Sequence, residues 1–376
     1  MAPRPLSGLL VVALEQAVAA PLCSARLADA GARVIKIERA EGDFARGYDT
    51  AAGGLSSYFA WLNRGKESLV LDIKAPGDLA LLKTIIGQAD VFIQNLAPGA
   101  VDRLGLGAGD LRAAHPQLIT CDISSYGAEG PYARRKGYDL LLQAETALVS
   151  ITGTPEGPGR VGVSVCDIAT GMNAYQGVLE ALIERGRTGA GQALEVSLFD
   201  AVADWMAVPL IQAEASGQNP ARLGLHHVSI APYGAYRCAG GGEVLIAIQN
   251  QREWRAFCAA VLEQPSLADD PRFHDNPARV RHRAALGAII DARFADLETA
   301  DLITRLDAAK VAFGAVNSVL DFARHPHLRR VTVGSPSGPI ALPAPPVIRP
   351  GRDETLGPIP ALGEHSARIR AEFAAA

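Results

Sequence analysis
The chain has 376 residues, of which 48% are hydrophobic, 6% aromatic and 20% charged. That balance belongs to a folded globular protein, excludes a disordered or low-complexity chain, and at this length suits two domains better than one. A formal net charge of −4 gives no general attraction to nucleic acid or to an anionic membrane, so an anionic ligand has to be held by local clusters of Lys and Arg.

The five cysteines, Cys23, Cys121, Cys166, Cys238 and Cys258, are odd in number and widely spaced. That suits buried thiols in a reducing cytosol, with no metal-ligand spacing among them. Near the N-terminus, Arg4, the run Leu9 to Leu14 and Ala17-Val18-Ala19 loosely imitate a signal peptide, but the apolar core is short and Glu15 puts a charge directly after it. No uninterrupted stretch is long enough to span a membrane. The expectation is a cytoplasmic protein.

Along the chain, Leu9 to Leu14 is an apolar run of strand length. A helical pattern through Leu22, Ala25, Leu27 and Ala28 closes near Gly31, and Val34 to Glu38 is the next strand. This β-α-β order implies a parallel pair joined by a helix. The first turn lacks the G-x-G-x-x-G that brings backbone amides against a pyrophosphate, which disfavours NAD. Ser68 to Asp72, Val91 to Gln94 and Ile119 to Ser124 read as further strands. Asp78 to Ala89 reads as a helix, short helical pieces surround Val101 and Leu111, and Tyr138 to Leu148 starts another helix.

The strongest local signal lies in Val161 to Ala201. Val161, Val163 and Val165 alternate with Gly162, Ser164 and Cys166, the two-residue period of a strand. Ile168, Met172, Tyr175, Val178, Leu179, Leu182 and Ile183 then recur at three- and four-residue intervals, one face of a helix of about five turns. Asp167 stands at the change, where it reads as the helix N-cap. Gly171, Ala174, Gly177 and Ala181 on the opposite side admit close approach by another backbone or a ligand. On this pattern alone Asp167 need only be a cap that accepts bonds from free amides.

Leu194 to Ser197 closes this half as a strand, and a helix from Leu198 to about Ser216 leads away. From about Gly224 the strands shorten: Ala235 to Arg237 and Val244 to Ile248 flank Gly240-Gly241-Gly242, which reads as a hairpin turn. Helices follow near Glu253 to Leu262, Val280 to Phe294 and Ala300 to Ala309. The tail from about Val331, rich in Pro and Gly, reads as an extended return to the first domain. The expected division is a large α/β domain over 1–223, a small α+β domain over 224–330, and a C-terminal return over 331–376. The fold class is α/β, with a Rossmann-like parallel sheet in the large domain.

Six segments in one order resemble the family III coenzyme A transferases, which include formyl-CoA transferase and carnitine CoA-transferase. They are PLSGLLVV from Pro5, GARVIKIER ending at Arg39, NRGKESLVLDIK ending at Lys74, VFIQNLAPGAVDRLG ending at Gly105, RTGAGQALEVSLFDA ending at Ala201, and LGEH at Leu362 to His365. The likeness covers nearly the whole chain. The resemblance implies that Asp167 is the nucleophile, because the family's aspartate lies between a strand and a long helix upstream of the RTGAGQ segment.

The resemblance also implies coenzyme A contacts at Val18, Arg39, Lys74, Asn95, Arg103 and Lys136. Unaided, Val18 reads as core, Arg39 as solvated, and the run 133–136 as an exposed basic turn. Tyr138 and Asp139 match active-site positions, the second a glutamate in the formyl-CoA enzyme; on pattern alone Tyr138 reads as core at a helix start. The long glycine-rich flap of that enzyme is missing. The stretch Gly224 to Arg237 instead brings His226, His227, Ser229 and Tyr233 into the connection to the small domain. There they suit either the second polar group of an acid substrate or an ordered linker.

The implied activity is transfer of CoA from an acyl-CoA thioester to a carboxylic acid, through an aspartyl anhydride and an aspartyl-CoA thioester. Small dicarboxylic acids, with succinyl-CoA as donor, are the expected substrates. No permanently bound cofactor is expected, acyl-CoA being a substrate, and an intertwined homodimer is. Two alternatives use the same fold. A racemase of the family has a histidine where this chain has Tyr138, and a non-catalytic acyl-CoA-binding protein would have no need of Asp167.

Overall fold
The computed structural model describes residues 4–351 and 355–374. These separate into two compact units, one of residues up to Val149 with Arg160–Ile211 and 329 onwards, the other of Ser150–Gly159 and Gln212–Leu328. The division differs from the sequence expectation in two places. The second unit starts at Gln212 rather than 224, and it takes in 150–159. The reason is hydrogen bonding: a two-residue ladder, Gly153–Thr154 with Gly157–Pro158, sits there, and Gly153 O accepts from Gly224 N while Thr154 O accepts from the Arg222 guanidinium.

The first unit is built on a six-stranded parallel sheet. Its strands are β1 (Leu10–Leu14), β2 (Arg33–Glu38), β3 (Lys66–Val70), β4 (Val91–Gln94), β5 (Ile119–Ser124) and β6 (Ala193–Ser197), in the spatial order β3-β2-β1-β4-β5-β6. Val11, Val12 and Ala13 of β1 are fully buried, as expected of a central strand covered on both faces. The register pairs Val11 with Val34 on one side and with Val91 on the other. Chain order reverses direction across β1, and in such sheets the crevice beyond the carboxyl ends of the two diverging strands is where ligands bind.

Helix α1 (Ala19–Asp29) follows β1, and α2 (Pro76–Gly87) and α3 (Ala108–Ala114) connect the later strands. Helix α4 (Asp139–Glu145) precedes the long α5 (Val165–Thr188), and α6 (Leu198–Trp205) follows β6 directly. The alternating valines at 161, 163 and 165 do not form a strand; Val161 N instead donates to Gln143 Oε1 at 2.9 Å. Helix α5 also buries its small residues and Val178 rather than the whole face its large apolar residues mark. Gly171, Ala174 and Ala181 are buried, while Met172 and Ile183 are 55% and 59% exposed. Close approach to α1 decides this: a Cβ added at Gly171 would lie 2.6 Å from Ala19 O and 2.8 Å from Leu22 Cβ. The single helix expected over 198–216 is two, broken at Met206.

The second unit has its own core, with Trp254, Phe257, Phe273 and Phe294 fully buried. It carries an antiparallel sheet of β7 (Tyr233–Arg237), β8 (Glu243–Ala247) and β9 (Ala312–Ala315), β8 in the centre. Gly240 and Gly241 take left-handed φ of 72° and 83° at the β7–β8 turn, as a hairpin requires.

The tail belongs to the first unit but is not simply extended. It contains the hairpin of β10 (Arg330–Val333) and β11 (Ile340–Pro343) and a last helix, α7 (Ser366–Ala374), whose Ile369 and Phe373 enter the sheet's core. Among the described residues no helix is long and apolar enough to cross a membrane, and all five cysteines are buried free thiols.

Candidate active site
The site is built where β1 and β4 part. After β1 the chain turns through Gln16 and Ala17 into α1, with Ala17 in the left-handed region at φ 65°. After β4, Asn95 reaches across: its Oδ1 accepts from Gln16 N at 2.9 Å and its Nδ2 donates to Gln16 O at 2.8 Å. Asn95 therefore clamps the mouth of the switch point shut at the backbone. From the other side Asp43 Oδ1 accepts from Ala17 N at 3.1 Å.

Asp43 belongs to a buried network that fixes this turn. Lys36 Nζ lies 2.9 Å from Asp43 Oδ2 and 3.4 Å from Glu15 Oε1. Lys66 Nζ donates to Glu15 Oε1, Pro21 O and Asn63 Oδ1 at 2.6, 3.0 and 3.1 Å. Burial alone would push the Glu15 carboxyl up, but Lys66 and Lys36 outweigh it and hold it below its ordinary value. Burial draws Lys66 down to about 8, yet three acceptors around three donors keep it an ammonium at neutral pH.

A cavity of about 710 Å³ opens above the turn, lined among others by Gln16, Ala17, Val18, Asn95, Lys136, Tyr138, Asp139, Arg160, Ser164 and Asp167. A second of about 560 Å³, lined by Glu38, Arg39, Gly42, Leu71, Asp72 and Lys74, shares Gln16 and Leu96 with it. Of the expected contacts, Val18, Asn95 and Lys136 thus meet Asp167 in the first cavity, and Arg39 and Lys74 are in the second. Arg39 and Lys74 are exposed and in no ion pair among the described residues, while Arg39 Nε donates to Gly42 O. Arg103 is exposed and lines neither cavity. Tyr138, expected as core on pattern alone, is 67% exposed and is the N-cap of α4.

Asp167 is not the N-cap of α5. Ser164 is, and Asp167 lies within the first turn. The free amides expected for it are taken by Asp139, whose Oδ1 accepts from Cys166 N at 2.8 Å and from Asp167 N at 3.4 Å. The other oxygen of Asp139 accepts from Gln143 Nε2 at 2.7 Å. The Asp167 carboxylate, half-buried, has no hydrogen bond or ion pair of its own among the described residues. Burial, and secondly the negative charge of Asp139, push its pKa up to about 7. The arrangement leaves one carboxylate uncompensated at a cavity wall, held at the balance point between acid and anion.

His226 and His227 belong to the second unit. The His227 ring stacks on Tyr233 at 5.2 Å and its Nδ1 accepts from Ser229 N. The His226 ring packs edge-on against Tyr236, where burial and then Arg283 hold its pKa below the ordinary value. Neither lines the Asp167 cavity.

Sequence reasoning missed Gln16, Arg160 and the Glu15–Lys36–Asp43–Lys66 network. Lys36 carried a readable signal: a charge inside a strand otherwise buried on both faces requires a partner.

A family profile described as CoA-transferase family III matches residues 6–366. The chain belongs to CoA-transferase family III. It is 36% identical to acetyl-CoA:oxalate CoA-transferase of Acetobacter aceti, over 99% of this chain and 96% of that one. To the succinate–glutarate CoA-transferase of Agrobacterium fabrum it is 35% identical, over 98% of this chain and 96% of that one. Among solved structures, a CAIB/BAIF family protein from Brucella suis superposes with a TM-score of 0.84 at 34% identity, covering 99% of this chain and all of that one. As a family III enzyme this chain is a CoA-transferase whose substrates are acyl-CoA and a carboxylic acid.

Proposed function
We propose that Asp167 carries the acyl group and then CoA as covalent intermediates, and that the substrates are small dicarboxylic acids with succinyl-CoA as a donor. The single observation that carries the first part is the unpaired Asp167 carboxylate at a cavity wall with its pKa near 7. The relatives named for oxalate, glutarate and succinate support the second part.

An Asp167 oxygen attacks the thioester carbonyl; the C–O bond forms, the C–S bond breaks, and CoAS⁻ leaves a mixed anhydride on Asp167. CoAS⁻ then attacks the aspartyl carbonyl, expelling the donor acid as its carboxylate and leaving an aspartyl-CoA thioester. The acceptor carboxylate attacks that carbonyl, releasing CoAS⁻ and forming a second anhydride. CoAS⁻ finally attacks the acceptor's acyl carbon, which gives the new acyl-CoA and frees the Asp167 carboxylate. Water in the cavity would hydrolyse either anhydride, so closure of the site matters.

The nucleotide end of CoA, in this reading, lies across the shared edge at Gln16 and Leu96, with Arg39 and Lys74 on its phosphates, where a guanidinium and an ammonium suit that charge. Val18, Asn95 and Lys136 line the way to the thioester, Arg103 makes an outer contact, and Tyr138 and Asp139 support the reacting end.

The working form is a homodimer, which the exposed Met172 and Ile183 of α5 and the exposed Val208 and Ile211 support, and its proposed location is the cytoplasm. A light-scattering mass of 39.4 kDa, that of one chain, at micromolar concentration would contradict the dimer. The catalytic test is a panel of CoA donors against acids, read by mass spectrometry, for wild type and Asp167→Asn. Dicarboxylates should be used, and the variant should lose at least about a thousandfold in turnover. Near-normal turnover in Asp167→Asn would reject the covalent role, and exclusive use of monocarboxylates would reject the substrate class.

A further inference from the structure
The charged side chains that line the Asp167 cavity are Arg135, Lys136, Asp139, Arg160 and Asp167. Two are engaged elsewhere. Arg135 pairs with Glu145 at 3.2 Å and lies over the Tyr132 ring, and Asp139 is occupied by Cys166 N and Gln143. Arg160 is different. Among the described residues its guanidinium donates to Val161 O at 3.2 Å and Gly162 O at 3.4 Å alone, both in its own loop. Among the described residues no carboxylate answers its charge, and most of the five donors of this exposed, cavity-lining side chain are left unpaired.

The loop that carries Arg160 is braced. The fully buried Gln143 accepts from Val161 N at 2.9 Å, donates to Val161 O at 3.3 Å, and also holds Asp139 at 2.7 Å. One buried side chain therefore fixes both the Arg160 loop and the carboxylate that caps α5 beside Asp167. Lys136, exposed as Arg160 is, offers only a point charge. A guanidinium presents a planar fork that matches a carboxylate with two parallel bonds.

Resting on the reading of Asp167 given above, we propose that Arg160 is the specificity-determining residue that receives the second carboxylate of a dicarboxylic acyl group. While the first carboxyl carbon reacts at Asp167, the distal carboxylate lies on Arg160, and an acyl group ending in a methyl leaves that cation unanswered. Discrimination then rests on the unmatched charge rather than on cavity size.

The test compares succinyl-CoA with butyryl-CoA, whose acyl groups have equal chain length and differ in ending in a carboxylate or a methyl. Calorimetric Kd values are measured for wild type, Arg160→Gln and Arg160→Lys. Wild type should favour succinyl-CoA by on the order of tenfold to a hundredfold, the span of a charge-assisted pair. In Arg160→Gln the ratio should fall close to one, and Arg160→Lys should keep part of it. A ratio unchanged in Arg160→Gln, including equal weakening of both ligands, would overturn the proposal, as would a wild type without preference. Exchange of labelled succinate into succinyl-CoA reads transfer separately. Absent exchange together with a collapsing ratio would reject the Asp167 chemistry and still support Arg160.

Discussion

Two groups of carboxylates in the first unit, one buried and one half-buried, are treated in opposite ways. Beneath the β1–α1 turn, Glu15 and Asp43 each meet an ammonium, and Glu15 also accepts from Ser24 Oγ at 2.6 Å. Beside α5, Asp139 takes the helix amides and Gln143, and Asp167 is left with neither donor nor cation. The first group is held below the ordinary carboxylate range at Glu15, the second raised to about 7 at Asp167. One network uses its charge to hold a turn; the other keeps a charge available for reaction. Strained, under-satisfied groups persist where surrounding structure over-determines them.

The largest effect should come from breaking the satisfied group. Lys66→Met leaves Glu15 with the Ser24 hydroxyl and, as a cation, only Lys36 at 3.4 Å, and removal of one partner from a buried pair costs roughly 3–5 kcal/mol. Urea unfolding of wild type and variant measures this directly. A loss under about 1 kcal/mol would mean that the network does not hold the turn and that the contrast is false.

The opposite sign is expected at Asp167. Its folded pKa of about 7 exceeds the ordinary 3.8, so between those values the folded state holds the proton more tightly than the unfolded chain. Stability is therefore lost as pH rises from about 4 to about 7, and the full penalty remains above that. Asp167→Asn carries no such charge. It should match wild type near pH 4 and exceed it at pH 8, by on the order of 1–3 kcal/mol after allowance for partial exposure. Thermal melts at the two pH values read it.

The smallest effect sharpens the account of Asp139. CoA transfer by the wild type should rise with pH and level off above about 7, as Asp167 ionises. Asp139→Asn removes the negative charge and keeps a side chain that caps well. The midpoint should move down, though only in part, because burial is the larger cause of the shift. A pH–rate profile that is unmoved, or that moves upward, would remove Asp139 from the electrostatics of the site.

Much of the sheet was legible because its strands are short apolar runs. Val91–Gln94 and Ile119–Ser124 fall where read. The long helix was legible in existence and not in orientation. Large residues such as Met172 and Ile183 marked a face, but glycine and alanine let α5 approach α1 more closely, so the small face is the buried one. The same misreading made a strand of 161–165, where alternating valines flank a loop held by Gln143. Ser164 holds the N-cap position without a side-chain bond, and the capping bonds come from Asp139, 28 positions upstream of Asp167, which no local pattern reveals. The terminal helix α7 was hidden by the Pro and Gly content of the chain before it. Its Arg370 pairs with Asp78 and also donates to Val70 O, contacts that only the folded chain creates.

The central claim, that Asp167 bonds covalently to the acyl group and then to CoA, is tested most directly by trapping the intermediate. The wild type is incubated with succinyl-CoA and quenched with hydroxylamine, which converts an aspartyl anhydride or thioester to a hydroxamate, and the adduct is located by peptide mass spectrometry. The account predicts a hydroxamate on Asp167, formed only with the CoA ester and absent from Asp167→Asn. An adduct on Asp139, or none under conditions where CoA transfer is running, would contradict it.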